Sequence, residues 1–168
     1  AFWYKLNATP DRSGILSVSP PGENRSSGFR LFREGGATKQ RIKLNVGTGT
    51  GETWNDGMEI NAPSTEWTHI AFTVSSSSAV IYINGAVAMN VKNTGIDWTN
   101  CTSLTIGSGM PNFVYWDHKS DLSKYDELRF FDKALSSDEI QAIIDHDSPY
   151  VPKYSGEVFY MPFDGNYK

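Results

Sequence analysis

The sequence predicts an all-β protein, and three observations carry that expectation. Short runs rich in Val, Ile, Phe, Tyr and Thr alternate with Gly/Ser/Asn/Pro clusters, the pattern of a sandwich or barrel. Within "RIKLNV" polar and apolar residues alternate, as burial of one sheet face requires. Asn84-Gly85 lies between two such runs and marks a two-residue hairpin, because a type I′ turn needs positive φ at both central positions. At 168 residues, 39% hydrophobic and 20% charged, the chain suits one domain with a sizeable core.

The expected strands, in order, are "AFWYKLN" (1–7), "GILSVS" (14–19), "FRLFRE" (29–34), "RIKLNV" (41–46) and "WTHIAFTV" (67–74). After the short turn "SSSS" (75–78) come "AVIYIN" (79–84), "AVAMNV" (86–91), "SLTIGS" (103–108), "DELRFF" (126–131) and "EVFYMPF" (157–163). Between the fourth and fifth, "GTGTGETWNDGME" reads as a glycine-rich loop. One helix is expected in "LSSDEIQAIIDH", where Ser136 as N-cap and Glu139 three residues later form a capping box. Leu135 is placed to pack on Ile140, and Ile140, Ile143 and Ile144 share one face, so the helix lies on the sandwich. "SPYVPKYSG" (148–156) reads as a connector, which leaves the last strand beyond an apparent domain boundary at 147.

Several function classes are disfavoured. A net charge of −4 provides no basic footprint for nucleic acid, and no apolar run is long enough to insert in a membrane. The stretch from Ala1 has no signal-peptide pattern. Cys101 is the lone cysteine, so an internal disulfide and a thiolate zinc cluster are excluded. No G-x-S-x-G, H-E-x-x-H or P-loop pattern occurs. If "DELRFFD" is one strand, Glu127, Arg129 and Phe131 point one way and Asp126, Leu128 and Phe130 the other. No two carboxylates then align for glycoside hydrolysis. His69 reads as a packed strand residue. The chain is not expected to be an enzyme.

Three pieces, in order, resemble the laminin-G-like, concanavalin A-like lectin/glucanase domains of bacterial extracellular proteins. They are "AFWYKLNATPDRSGILSV", "EWTHIAFTVSSSSAVIYINGAVAMN" and "YDELRFFDKALSSDEIQAII". The resemblance implies a two-sheet antiparallel jelly-roll sandwich with one short helix near the C-terminus, over residues 1–147. It also implies a secreted or cell-surface setting. Residues 157–168 are similar to the strand that opens such a domain. The chain is accordingly read as truncated, ending on the first strand of a following repeat. The other reading is that this strand folds back, or onto a neighbouring chain, to fill the place of an absent opening strand.

A glycan partner needs flat rings held near carboxylate, amide or guanidinium groups, because sugar C–H faces stack while hydroxyls hydrogen-bond. Trp54 with Asn55 and Asp56, Trp98, and Tyr115 with Trp116 are the candidates. Trp3 and Trp67 fit the core. Calcium is a second candidate ligand, held by Asp117, Asp121 and Asp126 within "WDHKSDLSKYDE", although such loops are more often solvated than ligating. "ETWNDGME" offers a second oxygen-rich loop. The leading expectation is a non-catalytic carbohydrate-binding or adhesion module that recognises polysaccharide. The alternatives are a structural or protein-interaction module of a tandem array, and an accessory domain of a larger glycoside hydrolase.

Overall fold

The structure, a computed structural model, describes residues 1–114, 117–146 and 153–163. Its strands are β1 (Phe2–Lys5), β2 (Arg12–Val18), β3 (Phe29–Gly35), β4 (Lys39–Gly47), β5 (Glu52–Asn61) and β6 (Thr68–Val74). Then come β7 (Ser78–Ile83), β8 (Ala86–Lys92), β9 (Leu104–Ile106), β10 (Lys124–Asp126), β11 (Leu128–Phe131), helix α1 (Ser137–Ile144) and β12 (Glu157–Met161). Two five-stranded antiparallel sheets form the sandwich, one ordered β10-β1-β6-β7-β8 and the other β5-β4-β3-β2-β9. β11 and β12 make a separate two-stranded pair.

The period of two in the sequence becomes the core. Phe2 and Tyr4 of β1, Ile70 of β6 and Ile81 and Ile83 of β7 point inward from the first sheet. Phe29 and Leu31 of β3, with Ile42, Leu44 and Val46 of β4, meet them from the second. Each fully buried side chain of this size contributes about 1.5–3 kcal/mol of transfer free energy. The alternate residues of the first sheet, Ala71, Val80 and Tyr82, face outward and are covered by Leu135, Ile140 and Ile143 around α1. The capping box is present: Glu139 N–H donates to Ser136 Oγ at 3.2 Å, and Ser136 N–H donates to the Glu139 carboxylate at 2.8 Å. Asn84 and Gly85 both take positive φ, +49° and +79°, as the hairpin requires.

Three expectations need correction. First, residues 52–61 form β5, a ten-residue strand paired with β4 along its length, where a loop was expected. Its Gly, Asn and Asp content is poor for a strand, but ladder and burial override propensity. Second, "DELRFF" is broken at Glu127, whose φ is +48°. Its N–H donates to Asp126 Oδ1 at 2.9 Å, a local bond that eases this conformation in a residue other than glycine. The break lets β10 pair with β1, and β11 then turns away to pair with β12. Third, Trp67 precedes the strand that begins at Thr68.

β12 lies antiparallel on β11, with Leu128 opposite Met161 and Phe130 opposite Phe159. Arg129 sits beneath this pair, 1% exposed. It is ion-paired with Glu157, lies 3.7 Å from Glu127, and holds its guanidinium 4.0 Å from the Tyr160 ring and 5.0 Å from Tyr154.

Candidate functional site on the outer face of the second sheet

The side chains of β3, β4 and β5 that do not enter the core form a continuous outer face. β3 contributes Arg30, Phe32 and Glu34; β4 contributes Arg41, Lys43 and Asn45; β5 contributes Glu52, Trp54, Asp56 and Glu59. Register sets Arg30 beside Asn45, Asn45 beside Trp54, and Arg41 beside Glu59.

Part of this face is covered. Phe113 and His118, from the segment between β9 and β10, stack on each other at 4.8 Å and meet the Phe32 ring edge-on at 5.3 and 4.6 Å. Arg30 is buried beneath them and donates to Asn45 Oδ1 at 3.1 Å and to the Ser27 carbonyl at 3.0 Å. Trp54 is the ring that remains open. It is 37% exposed, braced edge-on by Phe32 at 5.9 Å, with the Arg25 guanidinium 5.8 Å from its centre.

Polar groups continue the site away from Trp54. Lys43 pairs with Glu34 and lies 3.4 Å from Asp56, while Arg41 pairs with Glu59 at 3.5 Å. His118 Nε2 lies 3.6 Å from Glu34. Beyond them a cleft of about 390 Å³ is lined by Asp11, Arg12, Glu34, Arg41, Lys43 and Glu59. A flat open ring beside alternating cations and carboxylates offers stacking and hydrogen bonding together, the combination a polyhydroxylated ligand needs.

A bulge in β5 keeps this face in register. Ile42 faces Met58 and Leu44 faces Asn55, so β5 carries one extra residue across that interval. Gly57 absorbs it at φ +47°, and a Cβ there would lie 1.9 Å from the Ile42 carbonyl oxygen. Gly57→Ala is expected to destabilise the fold by at least about 2 kcal/mol, read as a lower urea midpoint. An unchanged midpoint would mean that the bulge does not constrain this position.

The candidate residues fall in separate places. Trp54 and Asp56 share the outer face, but Asn55, between them on a strand, points the opposite way. It is fully buried and donates to the Ala79 and Met89 carbonyls of the first sheet at 2.9 and 3.1 Å, and its Oδ1 accepts from Gly57 N–H. Asn55 therefore clamps the two sheets together and is removed from the ligand-facing set. Trp98 is 53% exposed but meets Phe29, on the inner side of β3, at 6.2 Å, so it lies apart from Trp54. Tyr115 and Trp116 lie outside the described residues.

The three acidic candidates have three different surroundings. Asp117 is exposed and pairs with Lys119 at 2.9 Å, and that hydrogen bond and charge hold its carboxyl below the ordinary range. Asp121 is buried against Arg33, and Asp126 is buried with Oδ1 accepting from Glu127 N–H. Among the described residues no three His, Cys, Asp or Glu side chains are grouped as a metal ion requires. None of the described helices is long and apolar enough to cross a membrane. Phe32, Lys43, Glu34 and the Arg41–Glu59 pair are members of the face that were not singled out above. The alternation of "RIKLNV" puts Arg41 and Lys43 on one side with Asn45, whereas Phe32, Glu34 and Glu59 join them only through strand pairing.

Comparison with known proteins places these observations. Residues 1–141 match the family model of the concanavalin A-like lectin/glucanases superfamily. A search of curated sequences found no match. Among solved structures, the chain is similar to a Bacteroides ovatus protein named for carbohydrate binding, with TM-score 0.65 and 16% identity over 98% of this chain. The match spans 44% of that protein's length. It is also similar to the CBM40 of a Ruminococcus gnavus sialidase, solved with α2,3-sialyllactose, with TM-score 0.55 and 14% identity. That alignment covers 84% of this chain and 79% of the other. At these identities the likeness is one of fold.

Proposed function

Since the chain belongs to the concanavalin A-like lectin/glucanases superfamily, we propose that it is a non-catalytic carbohydrate-binding module of a secreted or cell-surface protein. Its ligand is a polysaccharide or glycan chain laid on the outer face of the second sheet. The observation that carries this reading is Trp54, an exposed ring fixed edge-on by Phe32 and flanked by Asp56, Lys43 and Arg25. A sugar face stacks on the indole. Its hydroxyls reach Asp56 and Lys43, and the neighbouring cleft receives the next unit of the chain. Phe113 and His118 close one side of the site, so the ligand runs along the strands of β4 and β5.

A panel of plant, host and microbial glycans, presented to the intact chain and to Trp54→Ala, tests this. A bound glycan is expected to lose about 2 kcal/mol of affinity, roughly thirtyfold, in Trp54→Ala. Thermal stability should change little, because the ring is already partly in water. Trp98→Ala should bind as the parent chain does. A glycan held equally well by the parent and Trp54→Ala would overturn the placement, and no binding across the panel would overturn the function. Running the panel with calcium and with chelator tests whether Asp117, the one exposed member of the acidic trio, acts through an ion.

A further inference from the structure

The charges of the Trp54 face come in opposite couples. Lys43 bridges Glu34 and Asp56, Arg41 pairs with Glu59 at 3.5 Å, and Arg25, beside the Trp54 ring, lies 3.5 Å from Glu52. Strand register builds the couples. Arg41 is the cross-strand partner of Glu34 on β3 and of Glu59 on β5, and Arg12 on β2 stands opposite Glu34 from the other side. The cleft beyond Trp54 is thereby lined by three cations, Arg12, Arg41 and Lys43, and three carboxylates, Asp11, Glu34 and Glu59. Arg30, a further cation of this face, is out of a ligand's reach: it is fully buried and donates to Asn45 Oδ1 and the Ser27 carbonyl. The chain as a whole carries a net charge of −4, so its long-range field does not attract an anion either.

Couples of this kind select a ligand by its charge. A hydroxyl both donates and accepts. Two hydroxyls on neighbouring carbons therefore offer an oxygen to the cation and a proton to the carboxylate, and neither charge loses its partner. A carboxylate or sulfate on the ligand has only acceptors. It reaches Arg41 or Lys43 with Glu59, Glu34 or Asp56 facing it at short range, and like charges so placed act against the partner that brings them. We infer that the ligand of this face is an uncharged glycan recognised through its hydroxyls, and that the carboxylates of the face exclude uronic, sialic and sulfated sugars. The inference rests on the reading of the Trp54 face as the glycan site and narrows its ligand to one chemical class.

Calorimetric titration of the chain and of Trp54→Ala tests it. The probes are uncharged hexasaccharides of glucose, mannose, galactose and xylose, and the anionic hexagalacturonate, a heparin hexasaccharide and α2,3-sialyllactose. At least one uncharged probe is expected to bind, to be lost in Trp54→Ala, and to change by less than about twofold in affinity between about 50 and about 500 mM NaCl. Every anionic probe should bind at least about tenfold more weakly. The double variant Asp56→Asn with Glu59→Gln removes two carboxylates whose side chains are 62% and 48% exposed, so the fold should tolerate it. It should raise the affinity for hexagalacturonate at least about fivefold. An anionic probe bound best and lost in Trp54→Ala would overturn the inference and leave the site in place. No gain in the double variant would overturn the excluding role of the carboxylates. Probes held equally by the chain and Trp54→Ala, or no binding by any, would overturn the reading of the site and the inference with it.

Discussion

Asp121→Ala is expected to destabilise the protein by about 3–5 kcal/mol, the largest effect of any single side chain considered. Its carboxylate accepts from Arg33 Nη2 at 2.8 Å and Nε at 3.1 Å, from Tyr4 Oη at 2.7 Å, from Ser123 Oγ at 2.8 Å, and from the Tyr125 hydroxyl. Arg33 and Asp121 side chains are both 0% exposed. Tyr4 belongs to the first sheet and Arg33 to the second, so one carboxylate ties the layers together. Truncating it leaves a guanidinium out of water with the Thr9 and Pro10 carbonyls, Gln40 and Tyr4 as its neutral partners. Breaking a buried pair in this way costs far more than the pair contributes. The double variant Arg33→Met with Asp121→Leu should therefore recover much of the loss. Urea unfolding of the two variants decides it. A loss below about 1 kcal/mol in Asp121→Ala would show that water reaches Arg33.

The same carboxylate shows where the sequence stops being informative. In "WDHKSDLSKYDE" four carboxylates sit close together in the chain, and a calcium loop and a solvated loop look alike at that level. The partner that distinguishes Asp121 is Arg33, 88 residues away, and no local pattern announces it. Most strands, the hairpin and the capped helix were legible because each rests on neighbours in sequence: alternation, an Asn-Gly pair, a Ser-x-x-Glu spacing. β5 was not, since its Gly, Asn and Asp residues signal a turn until β4 pairs with them. The cost fell on the site. A loop would have let Trp54, Asn55 and Asp56 converge on one ligand, whereas a strand sends Asn55 through to the Ala79 and Met89 carbonyls. Trp54 was identified for its ring and for the Asn55 and Asp56 beside it, of which Asp56 alone shares its face. Its support by Phe32 comes from a strand whose outward residues are partly apolar, a departure from simple alternation that marks a face covered by another segment.

Acid should weaken this protein well before its ordinary carboxylates titrate. His69, 1% exposed, packs edge-on against Trp3 at 5.2 Å, with Asn84 and the Ala1 amine as its polar neighbours. Burial, aided by the charge of that amine, lowers its pKa from 6.5 to about 3. The folded protein thus keeps His69 neutral over a range in which the unfolded chain takes up a proton. The stability this represents is fully present above about pH 6.5 and is lost as pH falls toward 3, by about 2 kcal/mol between pH 6.5 and 5. The Ala1 amine acts with the same sign over a higher window, from 8 down to about 5. Asp121 adds to the loss only below about pH 4, because its carboxyl is held under the ordinary range. Burial alone would raise it, but the Arg33 charge and the bonds from Tyr125 and Tyr4 outweigh burial. Urea midpoints at pH 7, 6 and 5 separate these contributions. His69→Phe, which keeps the ring contact with Trp3, should flatten the decline between pH 6.5 and 5 and leave the part due to Ala1. A decline of the same steepness in His69→Phe would mean that His69 is protonated in the folded protein.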